Sequence, residues 1–330
     1  MTRCPDIAAA ARVLSERDNV LILTHVKPDG DATGSTLALR ELMRDNGRTA
    51  DALFPESVPT KFLGLAGDRF RTALTPEELA HYDALILLDC AIDERSGLGP
   101  LLTFPPAGMP VLNIDHHEKN HVTADWSYVQ GDAAATCEIL LAMAEELGWR
   151  ISPLSATFLL LGIITDTGAF RFQNTTPATL RAAAKLRELG ADWDAVINAA
   201  FFSKSRSQLD FEAEMLSRQV RSACGGRYLY AVLPQEMFDR HHFSMKDGES
   251  LIDLLREVEG VAVAALIYPH GDDIKISLRS KDPRYPVGPV AAKFGGGGHR
   301  MAAGSNMPGC TTLEEAAARL NDEIVQLLEG

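Results

Sequence analysis

The chain has 330 residues, 46% of them apolar, and its acidic side chains outnumber the basic ones 45 to 32, for a formal net charge of −13. That length allows two domains, each with its own core, while the acidic balance excludes a broad basic surface for long nucleic acid. A phosphate-bearing ligand must therefore be small and gripped by a local cationic pocket. Cys4, Cys90, Cys137, Cys224 and Cys310 are far apart and show no paired ligand spacing, so they read as reduced thiols. No apolar run approaches the ~18 residues of a membrane span and no leader pattern opens the chain, so a cytoplasmic protein with no membrane partner is expected.

In chain order, Val20-Leu21-Ile22-Leu23 reads as a short buried strand. It leads into Thr24-His25-Val-Lys-Pro28-Asp29-Gly30-Asp31-Ala-Thr33-Gly-Ser35, where Pro28 and Gly30 predict a tight loop. Gly30 is expected to supply the bend that lets the flanking carboxylates converge, and Thr33 or Ser35 to cap a helix through Leu39, Leu42 and Met43. His25, Asp29 and Asp31 then form a mixed nitrogen and oxygen donor set suited to Mn, Fe, Co or Zn. Read alone, the stretch fits ordinary turn chemistry equally well.

Residues 49–53 are a second strand candidate, 83–88 a clear buried strand ending at Asp89, and 110–114 another ending at Asp115-His116-His117. Near-continuous apolar strands alternating with helices predict the α/β class, a parallel sheet with helices on both faces. In such sheets ligand groups gather at the carboxyl ends of strands, beside a topological switch point. Helices follow over 134–147, from Pro153 through Ile163 into Thr165-Asp166-Thr167-Gly168, and from Thr176-Pro177 to Gly190. Residues 191–223 read as a polar helical connector closed by Cys224-Gly225-Gly226. Strands over 228–233, 261–268 and 274–278, with helices near 250–258 and 313–328, make a smaller α+β domain. The expected boundaries are 1–190, 191–225 and 226–330. The distinctive feature of this domain is a glycine-rich run, Phe294-Gly295-Gly296-Gly297-Gly298-His299-Arg300-Met-Ala-Ala-Gly304.

The strand-end groups are His25, Asp29, Asp31, Asp89, Asp115, His116 and His117, joined by Asp166 after the later helix. Carboxylates clustered this densely repel one another unless cations neutralise them. Two divalent ions about 3.5–4 Å apart, sharing a carboxylate, neutralise that charge and supply hydrolytic chemistry at phosphorus. Each Asp alone reads as a cap or turn and each His as a solvated group; together they do not.

The motifs resemble those of the DHH phosphoesterases, and more closely the nanoRNase/pAp-phosphatase branch that carries a DHH-associated C-terminal domain. They are His25-Val-Lys-Pro-Asp29-Gly-Asp31-Ala-Thr-Gly-Ser35, Leu88-Asp89, Asp115-His116-His117, Thr165-Asp166-Thr-Gly168-Ala-Phe170-Arg171-Phe-Gln-Asn174-Thr-Thr-Pro177, Ser277-Leu-Arg279-Ser280 and Gly295 to Gly304, in the family's order over most of the chain. The resemblance implies one metal on His25, Asp29 and a bridging Asp89, and a second on Asp31, Asp89, His116 and Asp166. It implies two divalent ions, Mn2+ foremost, with Mg2+ or Co2+ as alternatives. Asp115 would orient a histidine from behind the ligands. His117 would face the substrate phosphate or protonate the leaving oxygen, the plainer alternative being a second supporting group.

In the C-terminal domain Gly296, Gly297 and Gly298 allow close backbone approach to a phosphate. Arg279 suits a bidentate phosphate clamp, His299 a phosphate or base contact, and Ser280 and Arg300 are further candidates. The implied activity is metal-dependent hydrolysis of very short oligoribonucleotides and of 3′-phosphoadenosine 5′-phosphate, with long duplexes excluded and a homodimer left open. Competing readings are a phosphodiesterase of cyclic or linear dinucleotides, a RecJ-like single-strand exonuclease, and a nucleotide-binding regulator with a dead site. The acidic charge and the lack of an OB-like domain count against the exonuclease, and the complete ligand set against the regulator.

Overall fold

A computed structural model describes residues 2–96, 108–245, 248 and 251–329. The chain forms two compact units, Met1–Ser203 and Lys204–Gly330. No helix among the described residues is long and apolar enough to cross a membrane.

The first unit contains, in order, β1 (Thr2–Arg3), α1 (Ile7–Ser15), β2 (Asn19–Leu23), α2 (Gly30–Asp45), β3 (Thr49–Ala52), α3 (Leu63–Ala66), α4 (Pro76–Leu79), β4 (Ala84–Leu88), β5 (Val111–Asp115), β6 (Trp126–Val129), α5 (Thr136–Glu146), α6 (Pro153–Asp166), α7 (Pro177–Glu188) and α8 (Trp193–Phe201). Its six strands form one parallel sheet in the order β1-β6-β5-β4-β2-β3. Alternate side chains divide between two cores. Val20, Ile22, Ile86, Leu88, Leu112 and Ile114 pack with residues of α1, α2, α5 and α6. On the other face Leu21, Leu23, Leu85 and Leu87 meet Leu74, Leu79, Val122 and Ala124, so among the described residues a single-turn helix and loop segments cover it. The expected helix-covered parallel sheet is present, with its two faces covered unequally.

β2 pairs with β3 on one side and β4 on the other, so the chain reverses direction across the sheet at the carboxyl end of β2. Here two local expectations change. The helix begins at Gly30, not near Thr33 or Ser35, because Asp29 is the N-cap and its carboxylate accepts from the backbone N–H of Asp31 and Ala32. Thr33 and Ser35 are buried within the helix. The left-handed turn falls at Lys27, with φ of 54°, rather than at Gly30. Gly30 is required for a different reason: a Cβ there would sit 2.3 Å from the Thr165 hydroxyl on α6. Strands β1 and β6 lie outside the sequence expectation, being too short to show an apolar run.

The second unit holds α9 (Arg206–Glu214), β7 (Val220–Ala223), β8 (Tyr228–Val232), α10 (Gln235–His241), α11 (Leu251–Arg256), β9 (Val263–His270), β10 (Asp273–Ser280), α12 (Gly288–Lys293), β11 (Gly297–His299), β12 (Ala302–Asn306) and α13 (Leu313–Glu329). The strands form a mixed sheet in the order β11-β12-β10-β9-β8-β7, antiparallel except for the β8–β9 pair. Ile274, Ile276 and Leu278 pack with Leu320 and Ile324 of α13. Ala264, Leu266 and Tyr268 pack on the other side with Phe211, Phe238 and Leu255. The expected helix near 250–258 corresponds to α11, and residue 250 lies outside the described residues.

The segment 191–223 is not one connector. Val196 and its neighbours Trp193 and Ile197 pack α8 into the core of the first unit, whereas α9 and β7 belong to the second. The glycine run joins a helix end to an edge strand. Gly295 and Gly296 donate their N–H groups to Ala292 and Ala291 and close α12, and 297–299 continue as an edge strand paired with β12. Gly298, with φ of 133°, would place a Cβ 2.6 Å from the Ala302 carbonyl oxygen, so only glycine fits this hairpin.

Candidate metal centre

His25, Asp29 and Asp31 follow β2; Asp89 follows β4; Asp115 ends β5 with His116 and His117 behind it; and Asp166 ends α6. The sheet order makes β2, β4 and β5 neighbours, so three carboxyl ends deliver their polar residues to one place. Three groups that could hold a metal ion emerge, the potential donor atoms of each lying within 4.8 Å of one another: His25, Asp29 and Asp89; Asp31, His116 and Asp166; and Asp89, Asp115, His116 and His117.

Asp89 lies at the middle. It is buried, with its backbone at φ of 53° in the left-handed region, where a residue other than glycine is strained. One carboxylate oxygen, Oδ2, is 3.7 Å from His25 Nε2, and the other, Oδ1, is 3.4 Å from His116 Nε2. His25 Nε2 also lies 3.8 Å from Asp29 Oδ2, and His116 Nε2 lies 3.4 Å from Asp166 Oδ2. The two imidazoles thus converge on opposite oxygens of one carboxylate. Their far nitrogens are anchored on backbone, His25 Nδ1 at 2.8 Å from the Val26 carbonyl and His116 Nδ1 at 3.4 Å from that of Ala133. This is how metal-ligating histidines are usually oriented.

Asp29 divides its labour, with Oδ1 capping α2 while Oδ2 faces His25. Asp31 is wholly buried and accepts from the first two amides of α5, Thr136 N at 2.6 Å and Cys137 N at 3.1 Å. Asp115 is buried too. Its Oδ1 accepts from the backbone N–H of His116 and His117 and lies 2.7 Å from His117 Nδ1, while its Oδ2 accepts from Asn120 at 2.6 Å. Asn174 joins the segment before α5 to the end of α6, donating to the carbonyls of Ala134 and Asp166 at 3.1 Å each.

Electrostatics test whether cations fit. Burial, reinforced by the Asp89 charge, pushes the Asp31 carboxyl up to about 7. Burial and the charges of Asp31 and Asp29 likewise raise Asp166 well above the usual carboxylate range. Burial would raise Asp89 as well, but the hydrogen bond and charge of His116, with His25 and His117, outweigh it and hold that group low. His116 and His117 are both raised, burial being overcome by Asp89 for the first and by Asp115 for the second. By itself, then, the cluster retains protons to relieve carboxylate repulsion. Divalent cations relieve it without them, and oxygen donors mixed with imidazole suit such ions.

In the second unit Arg279, Ala302 and His299 form one register row across β10, β12 and β11. Residues in register share a face, so Arg279 and His299 stand on the same side about 9–10 Å apart. The adjoining row on that face is Ser277, Gly304 and Gly297, nearly bare of side chains. Other candidates do not join it. Ser280 is buried on the opposite side, its hydroxyl bonded to the carbonyls of Ala262 and Asp282, so it holds a turn rather than facing a ligand. The Gly296 N–H is committed to Ala291, and Arg300 donates to the Pro283 carbonyl. Gly298 falls in the Leu278 row, on the core side.

Residues 19–163 match the DHH family, N-terminal domain, and residues 225–329 match the DHHA1 domain. The chain belongs to the DHH family. It is 32% identical over 305 residues to the bifunctional oligoribonuclease and PAP phosphatase NrnA of Thermus thermophilus, spanning 92% of this chain and 89% of that one. A Bacillus subtilis protein of the same name is 23% identical over 90% of this chain and 91% of its own length. An exopolyphosphatase-related protein from Bacteroides fragilis shares the fold, with a TM-score of 0.87, 22% identity and 98% of each chain covered. The DHH chain is a metal-dependent phosphoesterase of the NrnA-like branch.

The sequence alone gives no role to Asn120, Arg95 and Gly162, and it carries Asn174 only as a letter of the motif that runs from Thr165 to Pro177. Asn120 and Asn174 resemble ordinary turn residues. Gly162, alone inside the apolar helix α6, is the one with a visible signal, since a glycine there costs helix stability unless close packing requires it.

Proposed function

We propose that this DHH protein hydrolyses short oligoribonucleotides to mononucleotides and 3′-phosphoadenosine 5′-phosphate to AMP and phosphate, using two divalent cations, Mn2+ foremost with Mg2+ or Co2+ as substitutes. The carrying observation is Asp89 presenting its two oxygens to two different histidines. His25, Asp29 and Asp89 hold one cation; Asp31, Asp89, His116 and Asp166 hold the other. When bound, such ions polarise phosphoryl oxygens and activate water for hydrolysis. Asp115 fixes the His117 ring through Nδ1 and favours its charged form, and His117 delivers a proton from Nε2 to the leaving oxygen. Arg279 and His299, in one register row, hold the nucleotide over the bare face of Gly297 and Gly304. The names of the Thermus and Bacillus relatives support both substrate classes.

A product-resolved panel with Mn2+ tests this reading. It compares the bisphosphate nucleotide, labelled RNA from dimers upward, linear and cyclic dinucleotides, and long single-stranded DNA. The bisphosphate and the shortest RNAs should be turned over, with initial rates falling steeply beyond a few nucleotides because a chain of net charge −13 offers no extended basic track. Equal rates on long single strands would contradict it, and turnover confined to dinucleotides would transfer the assignment to a dinucleotide phosphodiesterase.

A further inference from the structure

Arg95 ends a short turn, Asp93–Arg95, six residues beyond Asp89 in the sequence. Its carbonyl accepts from Val26 N at 2.7 Å and the next residue, Ser96, bridges to His25, so the backbone here runs stitched along the His25 loop. Its guanidinium Nη2 lies 3.1 Å from His25 Nδ1. That same nitrogen is 2.8 Å from the Val26 carbonyl oxygen. One imidazole nitrogen cannot serve both partners at once. Facing the carbonyl it must carry the proton; facing an arginine, which is always charged and only donates, it must lack it.

Metal binding decides between them. A neutral histidine that gives the Nε2 lone pair to a cation carries its proton on Nδ1. Nδ1 then donates to Val26, and Arg95 loses its acceptor. Among the described residues that nitrogen is the only side-chain partner of Arg95, and no carboxylate stands within ion-pair distance of it. The charge balance shows what the released guanidinium is suited to. Asp29, Asp31, Asp89, Asp115 and Asp166 carry five negative charges when ionised. Two divalent cations neutralise four, leaving the loaded site at roughly −1 with His25 and His116 neutral, and near neutral once His117 carries its proton. An incoming phosphate adds at least one more negative charge, and a planar guanidinium fork is the side chain best matched to it.

We propose that Arg95 exchanges His25 Nδ1 for a phosphoryl group of the substrate, acting as a clamp beside the metal centre and a determinant of affinity for phosphate-bearing ligands. The inference rests on the ligand role of His25 proposed above, and its test keeps the two apart. Arg95→Met and Arg95→Lys are compared with the wild type by elemental analysis of Mn2+ content, and by calorimetric titration of the Mn2+-loaded proteins with inorganic phosphate, AMP and adenosine. Both variants should retain two Mn2+ per chain. Arg95→Met should bind phosphate and AMP about tenfold or more weakly, as loss of one charge-assisted contact predicts, with adenosine unaffected. KM for the bisphosphate nucleotide should rise more than kcat falls. Arg95→Lys, which keeps the charge and stem without the fork, should lie between, and it carries the test if Arg95→Met fails to fold. Unchanged phosphate and AMP affinity with both metals present would overturn the proposal. Joint loss of metal and phosphate binding would also overturn it, making Arg95 a positioning residue for His25. A wild-type protein that holds fewer than two Mn2+ would instead defeat the ligand reading beneath it, and the clamp with it.

Discussion

Asp89→Asn should abolish hydrolysis and reduce the metal content below two per chain. The substitution preserves shape, and asparagine tolerates the left-handed backbone found at φ of 53°, so the fold should survive better than with alanine. The amide loses the charge and one of the two equivalent oxygens that face His25 and His116. Because both proposed cations share this group, the loss should exceed the ~10–100-fold typical of changes behind the ligands. Asp115→Asn is the natural comparison. It leaves the His25 and His116 contacts to Asp89 in place while weakening the grip on His117, so metal content should hold and activity should fall within that smaller range. Steady-state kinetics and elemental analysis on the same samples measure both effects. Full activity of Asp89→Asn with two metals bound would contradict the bridging role.

Gly162→Ala should reverse the usual sign of a glycine-to-alanine change in a helix. In an open helix alanine is favoured by about 0.8–1 kcal/mol. At Gly162 an added Cβ would lie 2.2 Å from Asp31 Oδ1 and 2.3 Å from Cys137 Sγ, both buried. The overpacking should cost about 1–3 kcal/mol or more. It should also push Asp31 away from the amides of Thr136 and Cys137 that hold it. Loss of melting temperature should therefore accompany weakened binding at the second metal, with the His25 side less affected. Gly64→Ala in α3, where a Cβ meets nothing within 4 Å, serves as the control and should be neutral or slightly stabilising. A stabilised Gly162→Ala with both metals bound would refute this account of the α2–α6 contact.

Much of the first unit was legible because its chemistry is written in apolar runs that stop at charged residues. Val20 to Leu23 before His25, and 83–88 before Asp89, give both strand and site in the same few letters. Features that depend on partners far apart in sequence were not legible. Asp29 replaces Thr33 or Ser35 as the cap because its carboxylate reaches the amides of Asp31 and Ala32 while still facing His25, and composition alone cannot rank those candidates. Gly30 looked like a bend and is instead a contact with Thr165. Edge pairing with β12 makes glycines 297 and 298 strand, and without side chains they give no alternating pattern to read. Ser280, adjacent to Arg279, seemed to belong with it, but strand alternation turns it to the opposite face.

In the proposed centre Asp89 joins two cations and belongs to the ligand set of each. Anomalous scattering from a crystal of the Mn2+-loaded protein tests it most directly. Two peaks should appear, one bounded by His25, Asp29 and Asp89 and the other by Asp31, Asp89, His116 and Asp166. A single peak, or one centred on Asp115 and His117, the third set whose donor atoms also lie within 4.8 Å of one another, would contradict it.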